Sequence, residues 1–112
     1  MDIKQLAKAL DVSEDIFIEL IDAWIQSTGE DLQALDNSSQ SADINKVIEH
    51  SHKIKGASSQ LGFNVIAETA KKIEHDARAG SVSGLSEAVN ILKNERNEII
   101  KLKELYAGNI KN

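Results

Sequence analysis

The 112-residue sequence has no cysteine and no proline. Without cysteine there is no disulfide and no thiolate metal site, which suits a reducing compartment, and a cytoplasmic location is expected. Aromatic residues make up only 4% of the chain, so the core must come from Leu, Ile, Val and Ala. That composition favours helices over a sheet. No apolar run approaches the roughly 20 residues that cross a bilayer, and Met1-Asp2-Ile3-Lys4 opens an amphipathic segment instead of a signal peptide. A formal net charge of −5 argues against nucleic acid or an anionic membrane as the main partner. The length gives one domain, 1–112, with one core and no repeat, low-complexity tract or interdomain linker.

What is present is apolar periodicity at helical spacing. Five helical segments are expected. The first covers about 2–10, with Ile3, Leu6, Ala7 and Leu10 on one face. The second starts after Ser13 as N-cap, with Glu14 and Asp15 in its first turn. It reaches about Asp36 and carries Phe17, Leu20, Ile21, Trp24, Thr28, Leu32 and Leu35 inward. Gly29 within it costs about 1 kcal/mol relative to Ala and marks a close helix contact or a mild bend.

Asn37-Ser38-Ser39-Gln40-Ser41 reads as a polar turn. The third segment runs from Ser41 or Asp43 to Leu61 or Gly62, where the glycine stops the helix. Asn64 caps the fourth, whose core face is Ile66, Ala70, Ile73 and Ala77. Gly80-Ser81-Val82-Ser83-Gly84 breaks the chain before a last helix from Leu85 to Tyr106, with Leu85, Ala88, Val89, Leu92, Ile99, Leu102 and Tyr106 inward. Four long helices with short connections predict an all-α, antiparallel up-down-up-down four-helix bundle, capped at one end by the short first helix. A monomer is expected, because no second long apolar stripe is left over.

The third segment carries two stripes. Ile44, Val47, Ile48, Ile54, Ser58 and Leu61 form the core stripe. His52, Lys55, Gly56 and Ser59 fall at i, i+3, i+4 and i+7 and line a second stripe toward solvent. A neutral imidazole there offers a free ring nitrogen that can attack an electrophilic phosphorus. Lys55 supplies positive charge one turn away, and Gly56 leaves space that close approach of a partner would use. Ser59 either bonds near the site or faces water. His50 and His52 diverge at i, i+2, so they form no metal clamp, and no HExxH or Cys/His cluster exists.

The run His52, Ile54, Lys55, Gly56 and Gly62 resembles the motif of histidine-containing phosphotransfer (HPt) domains: a histidine, a hydrophobic residue two places on, Lys-Gly, and a second glycine six places later. Ile73-Glu74-His75-Asp76-Ala77-Arg78 matches a weaker apolar-Glu-x-x-Ala-Arg run on the next helix. The resemblance implies an all-helical phosphoryl carrier with no ATP site of its own, phosphorylated at His52. It implies exchange with aspartates in receiver domains of response regulators or hybrid sensor kinases, with Mg²⁺ held by the receiver and no cofactor here. Arg78 matches an arginine near the phosphorylation face of relatives. Glu74 stands where some relatives carry a glutamine that contacts the imidazole, so it either orients the ring or repels the phosphoryl group. Read from spacing alone, Glu74 and Arg78 make an ordinary surface i, i+4 ion pair.

Other phosphate chemistry is excluded. Gly62 is followed by Phe63-Asn64, not Lys-Ser/Thr, so there is no Walker loop. A sensor-kinase dimerisation helix would place an acidic residue after the histidine and a proline soon after, and here Lys53 follows. The competing class is a helical scaffold or adaptor whose histidine is incidental.

Overall fold

The computed structural model describes residues 2–41 and 43–111 and is all-helical over them. Its elements are α1 (Ile3–Ala9), α2 (Glu14–Ser41), α3 (Ile44–Gln60), α4 (Asn64–Arg78) and α5 (Leu85–Lys111). Helices α2 to α5 form an antiparallel four-helix bundle in which α2 packs on α3, α3 on α4, α4 on α5 and α5 back on α2, while α1 caps one end against α2 and α5. Met1, just before the expected first segment, lies outside the described residues.

The helices start where side-chain oxygens meet free backbone donors. Asp2 Oδ1 accepts from Gln5 N at 2.7 Å, Ser13 Oγ from Ile16 N at 3.2 Å, and Asp43 Oδ1 from Lys46 N at 3.3 Å. Helix α3 ends in a Schellman turn: Gly62 N–H donates to Ser59 O and Phe63 N–H to Ser58 O, with Gly62 at φ +80°. That backbone conformation explains why the motif needs glycine at this place.

The core runs the length of the bundle. Phe17, Ile21, Leu35, Ile54, Leu92, Val47 and Val89 are fully buried. Phe63 joins α2 to the α3–α4 turn, with its ring edge-on to Trp24 at 4.9 Å and to Phe17 at 6.3 Å between centroids. Two polar contacts fix the α2–α3 register. Trp24 Nε1–H donates to the buried Ser58 Oγ at 2.9 Å, and the half-buried His50 meets Asp31 Oδ1 through Nδ1 at 2.8 Å. Ser58 thus sits in the core stripe as expected because its hydroxyl has a buried donor.

Four expectations are corrected. Asn37–Ser41 is not a turn but the last part of α2. Ser38 is buried and its hydroxyl bonds back to Ala34 O at 2.8 Å, as Ser39 does to Asp36 O at 2.7 Å, so these serines satisfy themselves within the helix. Asn64 does not cap α4: it is the first helical residue, and Phe63 occupies the cap with no side-chain bond, held there by its buried ring. Leu20 does not point inward; it is 39% exposed, because the core is already filled by Phe17, Ile21 and Trp24. The last helix continues beyond Tyr106 to Lys111.

Gly29 is a close contact and no break. A Cβ there would lie 3.0 Å from Arg96 Nη2 of α5. That guanidinium reaches across α2 to Ile25 O at 2.7 Å and Thr28 Oγ1 at 3.1 Å.

Candidate functional site

The face of α3 that carries His52 turns toward α4. Core residues Val47, Ser51, Ile54 and Ser58 anchor the buried side of α3, which leaves His52, Gly56 and Ser59 exposed and Lys55 half-buried. The imidazole is 61% exposed as a side chain. On α4, the core face of Ile66, Ala70, Ile73 and Ala77 also takes in Glu74, which is only 5% exposed. The expected surface pair of Glu74 and Arg78 is therefore a buried carboxylate with a cation above it.

Glu74 is the hub. Its Oε1 lies 2.8 Å from Lys55 Nζ. Its Oε2 takes three contacts: His52 Nδ1 at 3.0 Å, Arg78 Nη2 at 2.8 Å and Arg78 Nε at 3.2 Å. Burial pushes the carboxyl pKa up, but hydrogen bonds from Lys55, Arg78 and His52, with the Lys55 charge, outweigh it and hold Glu74 at about 2. It is an anion at any working pH and can only accept hydrogen bonds. His52 Nδ1 therefore carries the proton it donates to Glu74, so that in the neutral ring Nε2 is the nitrogen with the free lone pair.

The site thus gathers His52, Lys55, Glu74 and Arg78. Gly56, one turn beyond His52, is exposed, and a Cβ there would meet nothing within 4 Å. Close packing against a neighbouring helix does not explain it. Ser59 shares the stripe but makes no side-chain hydrogen bond among the described residues. His75 is exposed, and His50 is committed to Asp31. Among the described residues no group of three or more His, Cys, Asp or Glu could hold a metal ion, and no helix is long and apolar enough to cross a membrane.

Sequence reasoning left open whether Glu74 orients the ring; the geometry puts its carboxylate on Nδ1. The signal lay in the motif itself. Three donors at His52, Lys55 and Arg78 surround one acidic residue whose neighbours at one turn, Ala70 and Ala77, are small and apolar.

The family profile of the Hpt domain matches residues 19–104. The phosphorelay intermediate protein rdeA of Dictyostelium discoideum is 32% identical over 96 residues, which covers 86% of this chain and 38% of the relative. The chain thus spans about two fifths of the length of that curated relative. Among solved structures, the crystal structure of histidine-containing phosphotransfer protein B (HptB) from Pseudomonas aeruginosa PAO1 superposes with a TM-score of 0.82 at 25% identity, covering 95% of this chain and 92% of that one.

Proposed function

The chain belongs to the Hpt domain family, whose function is histidine phosphotransfer in a phosphorelay, and from that premise we propose that His52 is the residue that bears the phosphoryl group. One observation carries this reading. His52 is the histidine whose Nδ1 is tied to a buried anion while its other nitrogen stands free on an exposed edge.

The chemistry follows from that arrangement. The Nε2 lone pair attacks the phosphorus of an aspartyl phosphate on a receiver domain. The N–P bond forms as the P–O bond breaks, and the receiver carboxylate leaves with the bonding electron pair. The ring then carries a positive charge, with Nδ1–H still donated to Glu74, so the anion is placed to stabilise the phosphorylated ring. The reverse attack by a second receiver's aspartate passes the group on. No proton needs to move in either direction. Mg²⁺ and the acid-base groups belong to the receiver in this proposal, and this chain, a carrier without an ATP site, contributes a fixed nucleophile. A monomer working in the cytoplasm fits a cysteine-free chain whose apolar stripes close on one core.

Lys55 and Arg78 hold Glu74 in the unphosphorylated state and lie near enough to turn a donor toward the added phosphoryl oxygens. The open space at Gly56 admits the receiver's active site. Ser59 contributes a small polar surface there and no hydrogen bond of its own. Incubation with a phosphorylated receiver domain tests the assignment. Acid-labile, alkali-stable phosphate is expected on the wild-type chain and none on His52→Gln; label that survives the substitution would refute it.

A further inference from the structure

A cavity of about 370 Å³ opens between α4 and α5, beside the loop that joins them. Thr69, Lys72, Ile73 and Asp76 border it from the flank of α4 that faces α5. Glu74 and Arg78 lie on the flank of α4 that faces α3, so one helix separates the cavity from the His52 site. The floor is the core itself: Val47 of α3, Ile73 of α4 and Leu85 of α5 are all buried. Half-buried Val82 and Ala88 form the walls, and Ile91 stands at the rim, 47% exposed.

The mouth is acidic. Glu68, Asp76 and Glu87 stand around it against one cation, Lys72. None of the four makes an ion pair or a side-chain hydrogen bond among the described residues. Elsewhere the bundle neutralises the carboxylates of its seams: Asp22, Asp31, Asp36 and Glu74 each close on a basic side chain. Asp76 is the sharpest exception. It is half-buried in the last turn of α4, where the negative end of the helix dipole disfavours a further anion. Apolar walls below an unneutralised acidic mouth match a cation carried on an apolar body.

The surroundings set the size of that ligand. The outward faces of α4 and α5 beside the mouth carry Glu68, Lys71, His75, Asn90 and Asn94, all exposed and polar. A stable protein interface needs about 800 Å² a side around an apolar centre, whereas a small ligand needs only the slot. From Glu68 to Asp76 the slot runs two turns of α4, about 12 Å, which suits a single ring or a short chain.

We propose that this cavity binds a small organic cation, with its apolar body on Val47, Ile73 and Leu85 and its ammonium or guanidinium group at Asp76 and Glu87. The site is separate from His52 and does not rest on the phosphotransfer reading.

Three probes that share one ring and differ in charge test it: phenethylammonium, 2-phenylethanol and 3-phenylpropanoate. Each is titrated into the full chain at neutral pH and followed by amide proton–nitrogen NMR. Phenethylammonium should move the amides of Ile73, Asp76, Val82, Leu85 and Ala88 with a Kd on the order of millimolar, as expected for so few atoms. At low salt it should bind about fivefold tighter than the alcohol and about tenfold or more tighter than the carboxylate, with the gaps closing toward 1 M salt. The double variant Asp76→Asn/Glu87→Gln should lose the preference for the amine and keep the affinity for the alcohol. Ala88→Leu, which fills the slot, should weaken all three probes.

Equal affinity for the amine and the carboxylate in the wild-type chain would overturn the proposal, because the mouth would then select nothing. An amine preference that survives in the double variant would do the same. So would amine-induced shifts that fall on the acids of α2, or no saturable shift at the slot. Slot amides that move with protein concentration in the absence of any probe would assign the slot to a second copy of the chain and remove the small-cation site.

Discussion

Two seams of the bundle are built from the same chemistry and do opposite things. At the α2–α5 seam, cations of α5 each close on a partner in α2: Lys103 on Asp22, Lys93 on Asp36, and Arg96 on Ile25 O and Thr28 Oγ1. These contacts join two long helices. At the α3–α4 seam, Lys55, Arg78 and His52 converge on one buried carboxylate, and the imidazole keeps its Nε2 edge in water. The first seam spends its polar groups on holding the fold. The second leaves one nitrogen of the imidazole uncommitted and uses its charges to hold the ring in place.

The comparison breaks most sharply at His52. His52→Gln should abolish phosphoryl acceptance while the melting temperature stays within about 2 °C of wild type, since an exposed side chain contributes little to stability. His50→Gln and His75→Gln should keep transfer; an inactive His50→Gln variant would place the chemistry on the wrong side of α3.

Glu74 tests the site seam as both chemistry and structure. Its pKa lies near 2 in the fold against an ordinary 4.5, so its contribution to stability is complete above about pH 4.5 and is lost as pH falls toward 2. On that basis Glu74→Gln should cost on the order of 3 kcal/mol at neutral pH. The gap between the two denaturation curves should narrow below pH 4.5 and close near pH 2. Transfer should slow by about tenfold or more, because the amide no longer enforces one tautomer of His52. A pH-independent gap would show that Glu74 acts through packing alone.

Arg96→Ala tests the other seam. It removes charged hydrogen bonds to a backbone carbonyl and a buried hydroxyl, so a loss of about 1–2 kcal/mol in urea unfolding is expected. Phosphotransfer should match wild type under folded conditions. A transfer defect equal to that of Glu74→Gln would mean that the seams are not separate in function.

The smallest effect is expected at Lys55. Lys55→Ala should slow transfer and shorten the lifetime of the phosphorylated protein by several-fold, on the order of 1 kcal/mol, with the effect shrinking as salt rises. Lys55→Arg should retain more activity than Lys55→Ala. Equal kinetics for Lys55→Ala and wild type at low salt would reduce Lys55 to a counter-ion of Glu74.

The parts of the molecule legible in sequence are those set by local period. The core stripe of α3, the exposed stripe with His52, the stop at Gly62 and the bundle order follow from spacing and caps. The parts that were not legible depend on tertiary partners. Ser38 and Ser39 read as turn residues, yet inside a long packed helix their hydroxyls bond the preceding turn and the helix continues. Leu20 extended an apolar stripe wider than the core needed, and its exposure places it on the α2 edge near the site. Phe63 displaced Asn64 from the cap because burying a ring between Trp24 and Phe17 outweighs one capping bond. Glu74 looked like half of a surface pair, since nothing within α4 shows that two groups of α3 descend onto it.

The central claim is that Glu74 holds the Nδ1 proton of His52 and leaves Nε2 to take the phosphoryl group. Nitrogen-15 NMR of the chain labelled in its histidines reads this directly. Before phosphorylation, the neutral His52 ring should show a protonated Nδ1 and an unprotonated Nε2. After phosphorylation, coupling to phosphorus-31 should appear at Nε2 of His52. Coupling at Nδ1, or at the ring of His50 or His75, would contradict the account.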